Sequence, residues 1–235
     1  MAGWVAKRFW QQAEACPCAG GFTVTLDGRA VKTPAKTPLV VPTRALAQAI
    51  ADEWQAQEGI VRPDTMPCTR STNSALDKVT PQFDAVVNEL AGYGATDLLC
   101  YRATGPARLI DMQAAAWDPL LLWAAAALDA PLRVTHGVVP IDQPAASLAA
   151  LAAQVRGQSA FQLAGFHDLV AISGSLILAL AVTQGRLTVD QAWTLSRLDE
   201  TWQAELWGAD DEAAESDALR RVGFAHAGRF YGLCG

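Results

Sequence analysis

The stretch GFTVTLDGRAVKTP, residues 21–34, decides the fold class of the chain. Asp27-Gly28 suits a two-residue type I′ turn, whose central positions both need positive φ. Closing there sets Leu26 against Arg29, Val24 against Val31 and Phe22 against Thr33. Phe22, Val24, Leu26 and Val31 then share the core-facing side, because strand side chains alternate with period two. A third short strand is expected at Pro38 to Val41, ended by Pro42. Thr43 follows as the cap of a helix running to about Gln57, with Leu46, Ile50 and Trp54 at four-residue spacing. Strands followed by a covering helix make a small α+β layer.

Outward from that layer the pattern turns helical. Ile60 to Ser74, with Pro63 and Pro67 and little periodicity, reads as an ordered loop. A helix is expected over 81–91. Thr96 to Arg102, TDLLCYR, is compatible with a strand or a helix start. Met112 to Leu128 reads as a helix that Pro119 either kinks or restarts, with Asp118 as the new cap. An extended piece near Leu132 to Val134 leads to a helix over 145–156. Phe161 to Val182 is almost wholly apolar and belongs at the centre of a core. The end, 217–233, reads as a helix weakened by glycines 223, 228 and 232. The fold class expected is therefore α+β: a small N-terminal β-containing domain, 1–78, then a larger all-helical domain, 79–235, joined near Asp77 to Pro81.

Composition excludes several function classes. Of 235 residues, 51% are hydrophobic and 18% charged, as in an ordinary globular chain. A net charge of −6 without a Lys/Arg-rich block argues against nucleic acid and anionic membrane surfaces. Leu169 to Val182 is interrupted by Ser173-Gly174-Ser175 and is too short to span a bilayer, so no stable membrane insertion is expected. The opening MAGWVAKRFW has no apolar signal run and is not an Arg/Ser-rich transit segment. Five cysteines without a CxxC pair fit a reducing compartment, and scattered His136, His167 and His226 offer no metal site. No phosphate-cradle, nucleophile-elbow or zinc-protease motif occurs. Glu200 and Glu205 would point about 140° apart on one helix, and His167-Asp168 reads as a packing or capping pair. No catalytic residue, metal or cofactor is expected. The alternative is a small-molecule enzyme whose interdomain cleft is lined by the MPCTRSTN loop and His167.

GRLTVDQAWTLSRLDETWQAELWGADD, residues 185–211, carries the binding hypothesis. Thr188 with Gln191 is a capping-box pattern, and Gly208 is a stop signal. On one continuous helix Leu195, Leu198, Trp202 and Leu206 form the buried stripe. Trp193, Glu200 and Trp207, seven apart, then form a second line, with Ser196, Gln203 and Arg197 beside it. That side either packs within the domain, with Glu200 held by an arginine, or binds a partner, because tryptophan is enriched at interface hot spots. Acids crowd the region: Asp190, Asp199, Glu200, Glu205 and five more between 210 and 217, with Arg197 the only base among them. Eight tryptophans against three tyrosines suit a protein that covers an apolar surface on a partner.

SRLDETWQAELWG, with DDEA just after, resembles the signature of the Atp-twelve family of ATP-synthase assembly chaperones. The likeness extends over nearly the whole chain. It includes KRFW at 7–10, LDGRAVKTP at 26–34, MPCTRSTNSALD at 66–77, TDLLCYR at 96–102, WDPLLLW at 117–123 and GSLILALAV at 174–182. It implies an N-terminal α+β domain and a C-terminal helical domain. It further implies a chaperone, with no cofactor, that binds the α subunit of the soluble catalytic head of the F-type ATP synthase. Such a chaperone shields the surface that later meets the β subunit. The family's sensitive acid lies in an E-x-x-Q-x-x-x-W-G pattern, here Glu200, Gln203, Trp207 and Gly208. The expected contact set is Glu200, Trp193, Gln203, Trp207, Asp199 and Arg197, in a one-to-one complex formed by a free monomer. The absence of a transit pattern implies the bacterial cytoplasm, or the mitochondrial matrix for a processed eukaryotic form.

Overall fold

The computed structural model describes residues 7–208 and 210–235. Residues 1–6, used in the leader argument, and residue 209, within the 185–211 stretch, lie outside the described residues. The chain enters through a strand that the sequence reading lacks, β1 (Ala13–Cys18). It pairs antiparallel with β2 (Gly21–Leu26), setting Ala15 opposite Val24 and Pro17 opposite Phe22. Pro17 is tolerated there because β1 is an edge strand, where a missing N–H breaks no ladder. Asp27 and Gly28 take φ of 47° and 78°, as a type I′ turn requires, and β3 (Arg29–Ala30) returns with Leu26 opposite Arg29. β4 (Val40–Val41) pairs with the start of β2. Val24, Leu26 and Val31 are buried as the alternation predicts, and Phe22 is half-buried.

α1 (Arg44–Gln55) covers this sheet, its first turn capped by the Thr43 hydroxyl, which accepts from the Leu46 N–H at 3.1 Å. Leu46 and Ile50 are fully buried. The expected loop at 60–74 is instead largely helical: α2 (Pro67–Ser74) begins with proline at its first position, where the absent N–H costs nothing. Its cap comes from far off in sequence. The Glu53 carboxylate of α1 accepts from the Cys68 N–H at 2.6 Å, the Thr69 N–H at 2.8 Å and the Thr69 hydroxyl at 2.7 Å. A π turn and a 3₁₀ turn carry α2 without a gap into α3 (Phe83–Gly92), so no linker marks Asp77 to Pro81.

TDLLCYR resolves as a 3₁₀ turn at Leu98–Cys100 followed by β5 (Tyr101–Arg102). α4 (Ala107–Ala127) continues through Pro119 without a fresh start. Asp118 is not its cap but accepts from the buried Arg102 guanidinium at 2.7 Å. β6 (Thr135–His136) lies parallel to β5, and α5 (Ala145–Arg156) follows at its expected bounds. The apolar segment divides at Gly174, φ 71°, into α6 (Ala160–Ser173) and α7 (Leu176–Thr183). Leu176 to Ala181 are all buried, which explains a helix apolar on every side. Asp97 secures this junction: its carboxyl accepts from Leu99 N at 3.0 Å, Ser175 Oγ at 2.8 Å and Ile177 N at 3.0 Å.

α8 (Val189–Ser196), α9 (Leu198–Trp207) and α10 (Asp211–Leu233) complete the chain. The fold class is α+β, with the four-stranded sheet in the N-terminal part; the two-residue pair β5–β6 is the exception to an all-helical remainder among the described residues. Two compact units result. The first takes the described residues up to Phe83 together with Ala160–Gly165 and Arg229–Gly235; the second takes Asp84–Ser159 and Phe166–Gly228. Among the described residues no helix is long and apolar enough to cross a membrane.

Candidate binding surface on the eighth to tenth helices

The capping box forms as read: Thr188 Oγ1 accepts from Gln191 N at 3.2 Å and Gln191 Oε1 from Thr188 N at 2.9 Å. Gly208, φ 88°, ends α9. Between them the expected single helix breaks at Arg197, whose backbone sits at φ −108°, ψ 18°. Two side chains account for the break. The Ser196 hydroxyl donates to the Trp193 carbonyl at 2.8 Å, and the Trp117 indole of α4 donates to the Leu195 carbonyl at 3.0 Å. The Leu195 carbonyl, which a continuous helix would use internally, is thereby engaged from outside, while the Trp193 carbonyl accepts from the Ser196 hydroxyl as well as from Arg197 N at 3.2 Å. Periodicity does not carry across such a break. Trp202 is buried and Leu195 and Leu198 are half-buried, but Leu206 is 54% exposed, so the expected stripe is interrupted.

The six expected contact residues separate into three places. Trp193 is buried against Phe224 of α10, ring centroids 5.7 Å apart, and is not on the outer side. Its ring is the shelf for Arg197, whose guanidinium lies 5.2 Å from the centroid. That guanidinium also donates to the Ile172 carbonyl at 3.2 Å and meets Glu200 Oε1 at 2.9 Å. Glu200 is thus held by an arginine while its carboxylate stays about half in water, its side chain 55% exposed. Asp199 turns the other way and accepts from Gln113 Nε2 of α4 at 2.7 Å. With Gln203 it lines a recess of about 350 Å³ bounded by Tyr101, Arg102, Leu109 and the exposed Val138. Trp207, at the free end of α9, is 79% exposed.

α9 is fixed from beneath by α4. Arg108 stacks 5.2 Å from the Trp202 ring centroid, complementing the Gln113–Asp199 and Trp117–Leu195 bonds. On its other side α9 and α10 enclose a groove of about 400 Å³, lined by Thr201, Ala204, Ala213 and Ala214, with Arg197, Glu200, Asp217 and Arg220 among its polar residues. The segment assigned to a cleft loop is helix α2, and burial pushes its Cys68 thiol up to about 12, far from a thiolate nucleophile. His167 sits within α6 and not at its start, 3.0 Å from Asp168, whose hydrogen bond raises its pKa.

The family model for the ATP12 chaperone protein matches residues 7–125. The crystal structure of Atp12 from Paracoccus denitrificans is 50% identical, with a TM-score of 0.95 over 98% of this chain and 99% of that one. The chain belongs to the ATP12 chaperone family. Its members serve ATP synthase assembly. An aspartate-to-lysine mutant of P. denitrificans Atp12p is equally similar, at 50% identity and TM-score 0.96, covering 98% of each chain. Protein atp12, mitochondrial, from Schizosaccharomyces pombe is 25% identical over 228 residues, 90% of this chain and 77% of its own length.

In this ATP12-family chain, sequence reasoning missed the helix break and the groove beyond it. The only local signal for the break was Ser196-Arg197, a short hydroxyl side chain at a helix end. Gln113, which orients α9 from α4, and Trp117, which holds the end of α8, lie 86 and 78 residues from their partners and carry no pattern that would pair them.

Proposed function

We propose that this chain is an assembly chaperone that binds the free α subunit of the F-type ATP synthase catalytic head through the outer side of α9, and covers its subunit interface until β arrives. The observation that carries this reading is Trp207, 79% exposed, beside Leu206, 54% exposed, at the end of a helix bonded to α4 through Asp199 and Trp202. Large apolar side chains displayed at a helix end, about two turns from a half-exposed carboxylate, are the anatomy of an interface hot spot with a polar rim. Glu200, Gln203 and Trp207 are the contact residues of this reading. Arg197 positions Glu200, Trp193 supports Arg197, and Asp199 fixes α9 through Gln113. The chaperone acts as a monomer, in a one-to-one complex, in the bacterial cytoplasm or in the matrix for a processed eukaryotic form. Relatives from a bacterium and from a mitochondrion support either setting.

The test is co-purification with the free α subunit. Wild type is expected to retain the subunit, and Trp207→Ala to weaken it on the order of tenfold or more. Glu200→Lys is expected to abolish capture and to cost about 1–3 kcal/mol of fold stability, because it sets a second cation against Arg197, whose side chain is only 11% exposed. Glu200→Gln, which keeps the shape, separates charge from folding. A wild-type protein that ignores the α subunit sinks the reading.

A further inference from the structure

We infer that the groove between α9 and α10 is the seat of a basic amphipathic segment of the partner, one with apolar residues at helical spacing flanked by lysine or arginine. This rests on the proposed function, in which that segment belongs to the α subunit. The groove floor is made of small side chains, Ala204 on α9 and Ala213 and Ala214 on α10, all exposed. Such a floor has room for large apolar side chains and little to fill it from within. Trp207 lies three residues beyond Ala204, within about 60° of it around α9, just outside the groove lining. The charged residues of the lining are Glu200, paired with Arg197 at 2.9 Å, then Asp210 and Asp217 with Arg220.

The surroundings decide the sign of the occupant. Residues 198–217 contain eight acids and no base; the whole chain carries −6 and this stretch −8, which leaves the remainder at +2. Eight of the molecule's 24 acids therefore lie in the stretch that forms the trough, and residues 197–220, with both lining arginines counted, still carry −6. A field of that kind speeds the approach of a cationic segment and penalises an anionic one, over roughly the 8 Å Debye length of physiological salt. It also argues against the other candidate occupants. A second copy would bring the same acids to the same place, and an anionic lipid surface would be repelled.

Two probes test the groove apart from the α-subunit reading: a fluorescein-labelled peptide of leucine and lysine at helical spacing, and its leucine–glutamate counterpart. The wild-type protein is expected to bind the basic peptide at least about tenfold tighter than the acidic one. Raising salt from about 50 to 500 mM should weaken that binding. Ala214→Trp, at an exposed helical position, should reduce it about tenfold and weaken α-subunit capture in parallel. Asp217→Lys should lower the salt dependence. Equal binding of the two peptides, or wild-type affinity in Ala214→Trp, overturns the inference. If Ala214→Trp spares α-subunit capture, the proposed function survives and the groove is not its seat. If the basic peptide behaves as expected while the α subunit is not captured, the groove chemistry stands and the partner reading falls. A concentration-dependent dimer that Ala214→Trp abolishes assigns the groove to a second copy and overturns the inference too.

Discussion

Burial pushes the Asp97 pKa up to about 6, against the pull of the N–H and hydroxyl donors that its carboxyl accepts. A raised folded value means that the folded state holds the proton more tightly than the unfolded chain, where aspartate titrates near 3.9. The stabilising contribution of this group is therefore fully present below about pH 4, declines between about pH 4 and 6, and stays lost above. Urea unfolding across pH 4 to 7 should show that slope in wild type and not in Asp97→Asn. The variant should also lose about 1–3 kcal/mol at neutral pH, because an amide N–H₂ would face a backbone donor. Thr188 and Gln191 were legible as a cap since both partners sit within one turn. Asp97 and Glu53 were not, because the groups they satisfy lie up to 80 and 16 residues away and only the folded chain brings them near. The same limit hid the burial of Trp193 against Phe224, 31 residues on, which leaves its ring supporting Arg197 from inside instead of facing outward.

Helices α8 to α10 show what composition conceals at the scale of the element. Glycines 223, 228 and 232 weaken α10 by propensity, yet it runs for 23 residues. Two of them have a packing reason. A Cβ at Gly228 would lie 2.5 Å from Val189 Cγ2, and one at Gly223 would lie 3.3 Å from Ile172 Cδ1, whereas Gly232 faces open space. Gly228→Ala should therefore destabilise by about 1–3 kcal/mol despite alanine's better helix propensity, since a β-branched valine yields little. Gly232→Ala should stabilise by about 0.5–1 kcal/mol. Thermal melts of the two variants, and rescue of the first by Val189→Ala, separate packing from propensity. Elements whose own side chains settle them were readable: the 27–28 turn, α1 with its Thr43 cap, α5 and the central apolar run. α2 and the α8–α9 break were not, because a distant Glu53 makes the first and a distant Trp117 helps to make the second.

At the scale of the molecule, the α+β class followed from one hairpin and its covering helix, but β1 escaped notice because AEACPC alternates poorly and holds a proline. The order of units along the chain is the less expected feature. Residues 160–165 and 229–235 belong with the N-terminal sheet. Phe230 and Cys234 are buried, and the Thr43 hydroxyl that caps α1 donates to the Leu233 carbonyl. Burial pushes the Cys234 thiol up to about 12, and neighbouring Cys68 adds to the shift, so the two cysteines share one buried environment. Removing residues 229–235 should lower the stability of the first unit by about 3–5 kcal/mol, the scale of losing a buried phenylalanine. Mapping of thiol alkylation should then show Cys68 becoming reactive while Cys100, buried in the second unit, stays protected. On the ribosome the consequence is one of timing. The sheet and α1 emerge before residues 160–165, and residues 229–235, which bring Phe230 and Cys234 to their core, are translated only after the whole second unit. The earliest-made part of this chaperone must wait, half-finished, for the latest.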